Sequence, residues 1–306
     1  MYPYHLPKKT LAVLVASMGL LSALPAAASV IDTLTAQTTV RAGSKVPVVD
    51  GPNSNAISTS AGSNDSDIDP SSQASATSFG YSSGPYGAGG NGSGIFDSSG
   101  KFQRQWDITN DSGVAQNYSF NFFIYYGGMS ASDNGAGGTG YAEYMVDILR
   151  DGSTSLFSSA AKIESDGTLT RSGTILNGAS HLGSSYSWNG TNFTIDLGIL
   201  NPGDSTSVRY DLIGHAFGDY GFVPDDCNGY GYGYGDGDVH ILGVEDEEFC
   251  TVTGTSNAFL GDPDSLNSTP IPGIGIIARA VPEPAMFGLM GMGLVGLLGL
   301  RRRYQN

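Results

Sequence analysis

The chain has 306 residues and a formal charge of −15, with 14 Lys and Arg against 29 Asp and Glu. That balance argues against binding to nucleic acid or to an anionic membrane surface. Its 45 glycines and its low share of charged residues, 14%, disfavour long helices and point to many short strands joined by tight turns.

At the N-terminus Lys8 and Lys9 precede an apolar core, Leu11 to Leu24, which is too short to span a bilayer. Ala26, Ala27 and Ala28 then supply the small residues that a signal peptidase requires. Residues 1–28 read as a signal peptide, cut between Ala28 and Ser29, with signal peptidase as a partner. Residues 29–261 are expected to form one all-β domain, an antiparallel β-sandwich, a size that a single core can cover.

Val30 to Val49 supplies one or two edge strands. Residues 50–94 are rich in Gly, Ser, Asn and Pro and hold few large apolar side chains. Such a segment buries too little surface to order much backbone, and it reads as a long loop or flexible insertion. From Lys101 the alternation of period two is strong. Phe102, Arg104, Trp106 and Ile108 run to the turn Asn110 to Gly113, and Tyr118, Phe120, Phe122 and Ile124 follow, which predicts a hairpin.

Gly127 to Gly140 reads as a second glycine loop. The steps Asp151-Gly152 and Asp166-Gly167 divide three apolar runs and predict an antiparallel meander. Asn189-Gly190 predicts another hairpin, between the strand ending at Trp188 and that of Phe193, Ile195 and Leu197. Leu200 to Asp204 turns into the strand of Val208, Tyr210 and Leu212. This Leu-x-Pro-Gly-x turn resembles those of exported sandwich modules of the immunoglobulin or fibronectin kind, and a jelly roll fits the pattern equally. The Cys…Trp…Cys spacing of antibody domains is absent, since Trp188 precedes both cysteines.

Tyr220 to Glu248 alternates Gly with Tyr and is expected to be an exposed loop tied by a disulfide between Cys227 and Cys250, worth about 3 kcal/mol. A bridge is preferred to a metal ligand or a nucleophile because no CxxC or Cys-His spacing accompanies either cysteine. Tyr230, Tyr232 and Tyr234, with Tyr220, offer flat faces on which sugar rings could stack, or belong to a merely flexible low-complexity tract. Asp225, Asp226, Asp236 and Asp238 present hard oxygen ligands suited to calcium, or simply form a solvated acidic face. No other cofactor is implied. Asn257 to Leu260 and Gly273 to Ala280 give closing strands, and the remainder of 262–280 a proline-rich linker.

Catalysis is not expected. His181, His215 and His240 are the histidines of the body, and no Gly-x-Ser-x-Gly elbow or helical metal pair accompanies them. They read as surface histidines near turns.

The C-terminal segment, 281–306, has three parts in order. Pro282, Glu283 and Pro284 interrupt any upstream strand or helix. The apolar run 285–300 follows, a helix of sixteen residues and about 24 Å that just fails to cross a roughly 30 Å hydrocarbon layer unaided. Arg301, Arg302 and Arg303 then hold the end on the cytoplasmic side as a stop-transfer signal. This order resembles the sorting domain of PEP-CTERM proteins, which Gram-negative bacteria export and which the membrane enzyme exosortase processes at Pro-Glu-Pro. The resemblance implies delivery to the cell surface or to an extracellular polysaccharide matrix, with exosortase as a partner and transient anchoring in the inner membrane. The expected role is that of a structural or adhesive surface protein, the alternative being a calcium-assisted carbohydrate-binding module and an exported hydrolase the least favoured.

Overall fold

The computed structural model describes residues 28–68, 71–225, 250–261 and 275–281. In chain order the strands are β1 (Ser29–Ala42), β2 (Val48–Asn55), β3 (Ser58–Ile68), β4 (Ser71–Tyr81), β5 (Tyr86–Ser93), β6 (Ile95–Thr109), β7 (Gln116–Ile124), β8 (Gly127–Ser132), β9 (Gly138–Arg150) and β10 (Thr154–Glu164). They continue as β11 (Leu169–Gly173), β12 (Ser180–Leu182), β13 (Ser185–Trp188), β14 (Thr191–Leu200), β15 (Ser205–Tyr220), β16 (Phe222–Asp225), β17 (Cys250–Thr253), β18 (Thr255–Gly261) and β19 (Gly275–Ala280). All pairings are antiparallel, as the sequence led one to expect, and the described residues contain no helix.

Two seven-stranded sheets make a sandwich-like pair, the first in the order β11-β10-β9-β15-β6-β1-β2 and the second β12-β13-β8-β18-β5-β4-β3. A third sheet, β14-β7-β19, brings Phe120, Phe122 and Phe193 against Trp106, Phe157 and Tyr210 of the first. Here the core is aromatic. Trp106 and Phe120 lie 4.7 Å apart between ring centres, and Tyr86 stacks on Phe102 at 5.6 Å.

Towards β1–β5 the interior changes character, to Val40, Ala42, Ala74, Ala76 and Ala216 with Phe96 and Tyr220. Side chains this small let the sheets close until backbone meets backbone. A Cβ on Gly100 would lie 2.2 Å from the Thr77 carbonyl oxygen, and one on Gly214 would lie 2.8 Å from that of Ala88. Hydroxyls cross the same gap. Ser78 Oγ donates to the Lys101 carbonyl at 2.5 Å, and Thr38 and Ser63 share a hydrogen bond at 2.7 Å.

This corrects the reading of residues 50–94 as a flexible insertion, because they supply most of β2 and all of β3, β4 and β5. The expectation undervalued ordering by a thin interface, in which Ser, Ala and Gly fit where larger residues would not. The run from Val30 to Val49 is likewise not all edge, since β1 lies between β2 and β6.

Both predicted hairpins about Asn residues are also overturned. β6 pairs with β1 and β15, whereas β7 pairs with β14 and β19. The two apolar faces meet across the core, which satisfies the alternation as fully as lying side by side would. The turn chemistry serves the crossing: the fully buried Asn110 amide donates to the carbonyls of Val114 and Leu200 at 2.9 and 2.8 Å. Asn189-Gly190 similarly joins β13 of the second sheet to β14 of the third. The Gly127 to Gly140 tract makes β8 and the start of β9, with a turn between them. The meander β9-β10-β11 turns at Asp151 and Asp166 as the two Asp-Gly steps predict, and the closing strands appear as β18 and β19.

Candidate functional site

Alternation puts one face of each large sheet inward and leaves the other free, so the free faces carry the chemistry. On the first sheet β15 presents His215 between its two neighbours. Glu143 of β9 is directly opposite, and its Oε1 lies 2.8 Å from His215 Nδ1. Asp97 of β6 approaches from the other side, its Oδ1 2.8 Å from His215 Nε2. Tyr141 stands edge-on to the imidazole at 5.4 Å and stacks on Phe217, while Lys162 Nζ sits 4.2 Å above the Tyr141 ring. Arg41 reaches Asp97 at 4.0 Å.

Burial pulls the His215 pKa down, but the two carboxylates outweigh it and push it up to about 9. The hydrogen bond from His215 holds Asp97 and Glu143 below the usual carboxylate range. The result is an imidazolium with both N–H groups spent. It has no free nitrogen with which to take a proton from a substrate or to ligate a metal.

The free face of the second sheet is organised differently. Strand register sets Asn64 (β3), Ser75 (β4), Asn91 (β5), Asn257 (β18), Ser130 (β8) and Ser185 (β13) in one row across six strands. Ser66, Gln73, Ser93 and Thr255 form part of the next row. From β3 to β18 the two rows line a broad groove of about 850 Å³, and Ser130 and Ser185 continue the first row past it. Beside it two rings lie down over cross-strand glycines, Phe79 over Gly87 and Phe259 over Gly89, since a Cβ on either glycine would meet ring carbons at 2.7 and 2.8 Å. These amides escaped the sequence reading, although Asn64-x-Ser66, Asn91-x-Ser93 and Thr255-x-Asn257 carry the period-two signal of a polar face.

Of the residues singled out from sequence, His215 sits within a strand in a clamp of carboxylates, not in a surface turn. His181 is exposed, with its ring bonded to the Gly183 carbonyl at 2.8 Å. Tyr220 is no exposed platform: it is buried against the second sheet, with its hydroxyl 2.6 Å from Ser256 Oγ, because β15 turns that position inward. Asp225 ends β16, its backbone paired opposite Cys250 of β17. Asp226, Asp236 and Asp238, Tyr230, Tyr232 and Tyr234, Cys227, His240, and the signal-peptidase positions Ala26 and Ala27 lie outside the described residues, so the bridge and the calcium and glycan loops do too. Ala28 and Ser29 are described, Ser29 as the first residue of β1. Among the described residues no group of three or more His, Cys, Asp or Glu is placed to hold a metal ion.

Pro282, Glu283 and Pro284, the run 285–300 and Arg301 to Arg303 also lie outside the described residues. Among those described, no helix is long and apolar enough to cross a membrane. The last described strand, β19, ends at Ala280, and the Val281 amide donates to the Ala115 carbonyl at 3.0 Å, so the tail departs from a fixed point on the third sheet. Comparison with curated proteins and with solved structures gave no match. The family model described as the PEP-CTERM protein-sorting motif matches residues 280–303, immediately beyond that strand. The chain thus carries a PEP-CTERM sorting motif at its C-terminal end, and with it the implied exosortase-dependent export, transient membrane anchoring and sorting to the cell surface.

Proposed function

We propose that the mature protein is a non-enzymatic structural or adhesive component of the cell surface or extracellular matrix of a Gram-negative bacterium. The observation that carries this reading is the sorting motif at residues 280–303, attached directly to a body of broad polar sheets. Two features support it. His215, among the described residues the histidine held in a cluster of titratable groups, is committed to Asp97 and Glu143 on both sides, which suits a rigid surface better than general-base chemistry. The two large sheets also present broad polar faces to solvent, which suits a scaffold.

The test is cell fractionation of the native host with and without its exosortase. In the parent strain the protein should be found at the surface or in the matrix, shorter than its precursor. In the deletion strain, or after Glu283→Ala in the motif, the longer form should accumulate in the inner membrane. Full-length protein free in the cytosol of the parent would overturn the proposal.

A further inference from the structure

We propose that the groove on the free face of the second sheet binds a linear, uncharged polysaccharide laid across the strands. Five exposed side chains there, Asn64, Gln73, Asn91, Thr255 and Asn257, make no hydrogen bond within the described protein, although amides and hydroxyls elsewhere on the two sheets are widely engaged. Asn91 and Asn257 are direct cross-strand partners, so their amides stand side by side. An amide offers both donors and an acceptor from one planar group, the complement of vicinal sugar hydroxyls.

The spacing fits as well. Successive members of a row are one strand apart, about 4.8 Å, and the row from Asn64 to Ser185 crosses six strands. That period is close to the advance of one pyranose along an extended chain, so a single polymer could meet one polar side chain per sugar. Phe259, partly exposed and lying over Gly89, is one step along the sheet from Asn91 and offers a flat apolar face to the C–H side of a ring.

Charge selects the class of ligand. In a chain of net charge −15, the described residues lining the groove include only two charged ones, Lys45 and Asp65, and they face each other at 3.9 Å. Asp65 is further occupied by the backbone N–H groups of Ala42 and Ser66, and Lys45 Nζ by the Ser66 carbonyl. An acidic polymer would find no free cation among the described residues here and would be repelled by the protein as a whole.

The inference rests on the exported surface role, since only outside the cell would the face meet such a polymer. It is tested by affinity electrophoresis of the mature protein in gels containing dextran, mannan, a mixed-linkage β-glucan or alginate. At least one of the three neutral polymers should retard it, and alginate should not. Asn91→Ala with Asn257→Ala, and separately Asn64→Ala with Gln73→Ala, should weaken that retardation about tenfold, as expected for two lost neutral hydrogen bonds, at unchanged melting temperature. No retardation by any neutral polymer, retardation by alginate alone, or full retardation of both variants would overturn the proposal. So would a dimer in sedimentation that these substitutions abolish, which would make a second copy the occupant. A surface-sorted protein that ignores all the polymers defeats this inference alone, whereas cytosolic full-length protein defeats the surface role.

Discussion

Gly100 and Gly214 face each other across β6 and β15, and the backbone of Gly89 from the opposite sheet lies in the side-chain space of both. The thin half of the sandwich closes around this contact, where carbonyls rather than side chains set the separation.

Gly100→Ala should therefore be disruptive. Its added carbon would lie 2.2 Å from the Thr77 carbonyl oxygen and 2.7 Å from that of Gly89, and backbone in the middle of a sheet cannot swing aside. A cost of about 1–3 kcal/mol or more is expected, measured as a lower denaturant midpoint. Gly62→Ala in the same small-residue tract has nothing within 4 Å of the new carbon and should stabilise by about 0.4–1 kcal/mol. Equal midpoints for the two variants would contradict the close approach.

These glycines also show what was legible in the sequence. Alternation identified β6, β7, β9 and β15, because each contains a stretch with bulky apolar residues at alternate places, and the Asp-Gly steps fixed the meander. Partner choice was not legible: Trp106 and Phe120 satisfy the same pattern whether their strands pair or face each other across the core. Nor was order in residues 50–94, since Ala, Ser and Gly signal flexibility until an equally small-faced partner is known. The amide row of Asn64, Asn91 and Asn257 needed the register of β3, β4, β5 and β18, residues almost 200 positions apart. The sorting motif needed no register, being contiguous.

Arg104 and Asp32 should be unequal partners in mutagenesis. Arg104 is 4% exposed, and its guanidinium lies 4.7 Å above Trp106, holds both Asp32 oxygens, and donates to the Ser82 carbonyl at 3.0 Å. Asp32→Ala leaves that cation buried without a counter-charge, at a cost of about 3–5 kcal/mol. Arg104→Met fills similar space and leaves a carboxylate that is 22% exposed and can regain water, so it should cost less. Chemical unfolding with Trp fluorescence reads both, and the reverse order would refute the argument.

Tyr86 and Tyr210 give a second asymmetric pair. Tyr210 donates to the Tyr86 hydroxyl at 2.9 Å, and Tyr86 in turn donates to the Phe123 carbonyl of the third sheet. Tyr210→Phe removes one neutral bond and should cost about 1 kcal/mol. Tyr86→Phe strands the Tyr210 hydroxyl and the Phe123 carbonyl together, so about 2–4 kcal/mol is expected from two buried groups left without partners. Burial raises the pKa of both hydroxyls, and neither should ionise below the pH at which the body unfolds. Ultraviolet titration beside the unfolding curve tests this, and tyrosinate forming in the folded state would count against it for this pair.

His215 should make stability depend on pH in a direction that its clamp fixes. Its pKa is about 9 in the folded protein against an ordinary 6.5, so folding favours the protonated form. That contribution is complete below about pH 6.5 and is lost as pH rises through about 9. Asp97 and Glu143 are lowered from ordinary values of 3.8 and 4.5, so their contributions are complete above those values and are lost as pH falls through the lowered ones. The three overlap between about pH 4.5 and 6.5. Arg41 beside Asp97 and Lys162 near Glu143 reinforce the acid side of this window, and burial of the Tyr141 hydroxyl, together with Glu143 and Asp97, raises its pKa and keeps it neutral across it. Because the two carboxylates are 45% and 40% exposed, solvent screening reduces the alkaline loss to about 1–2 kcal/mol. His215→Gln carries no titrating proton, so the difference between wild-type and variant unfolding free energies should be largest near pH 6 and shrink by about that amount by pH 10. A difference that stays flat from about pH 6 to 10 would show that the imidazolium is not what the two carboxylates hold.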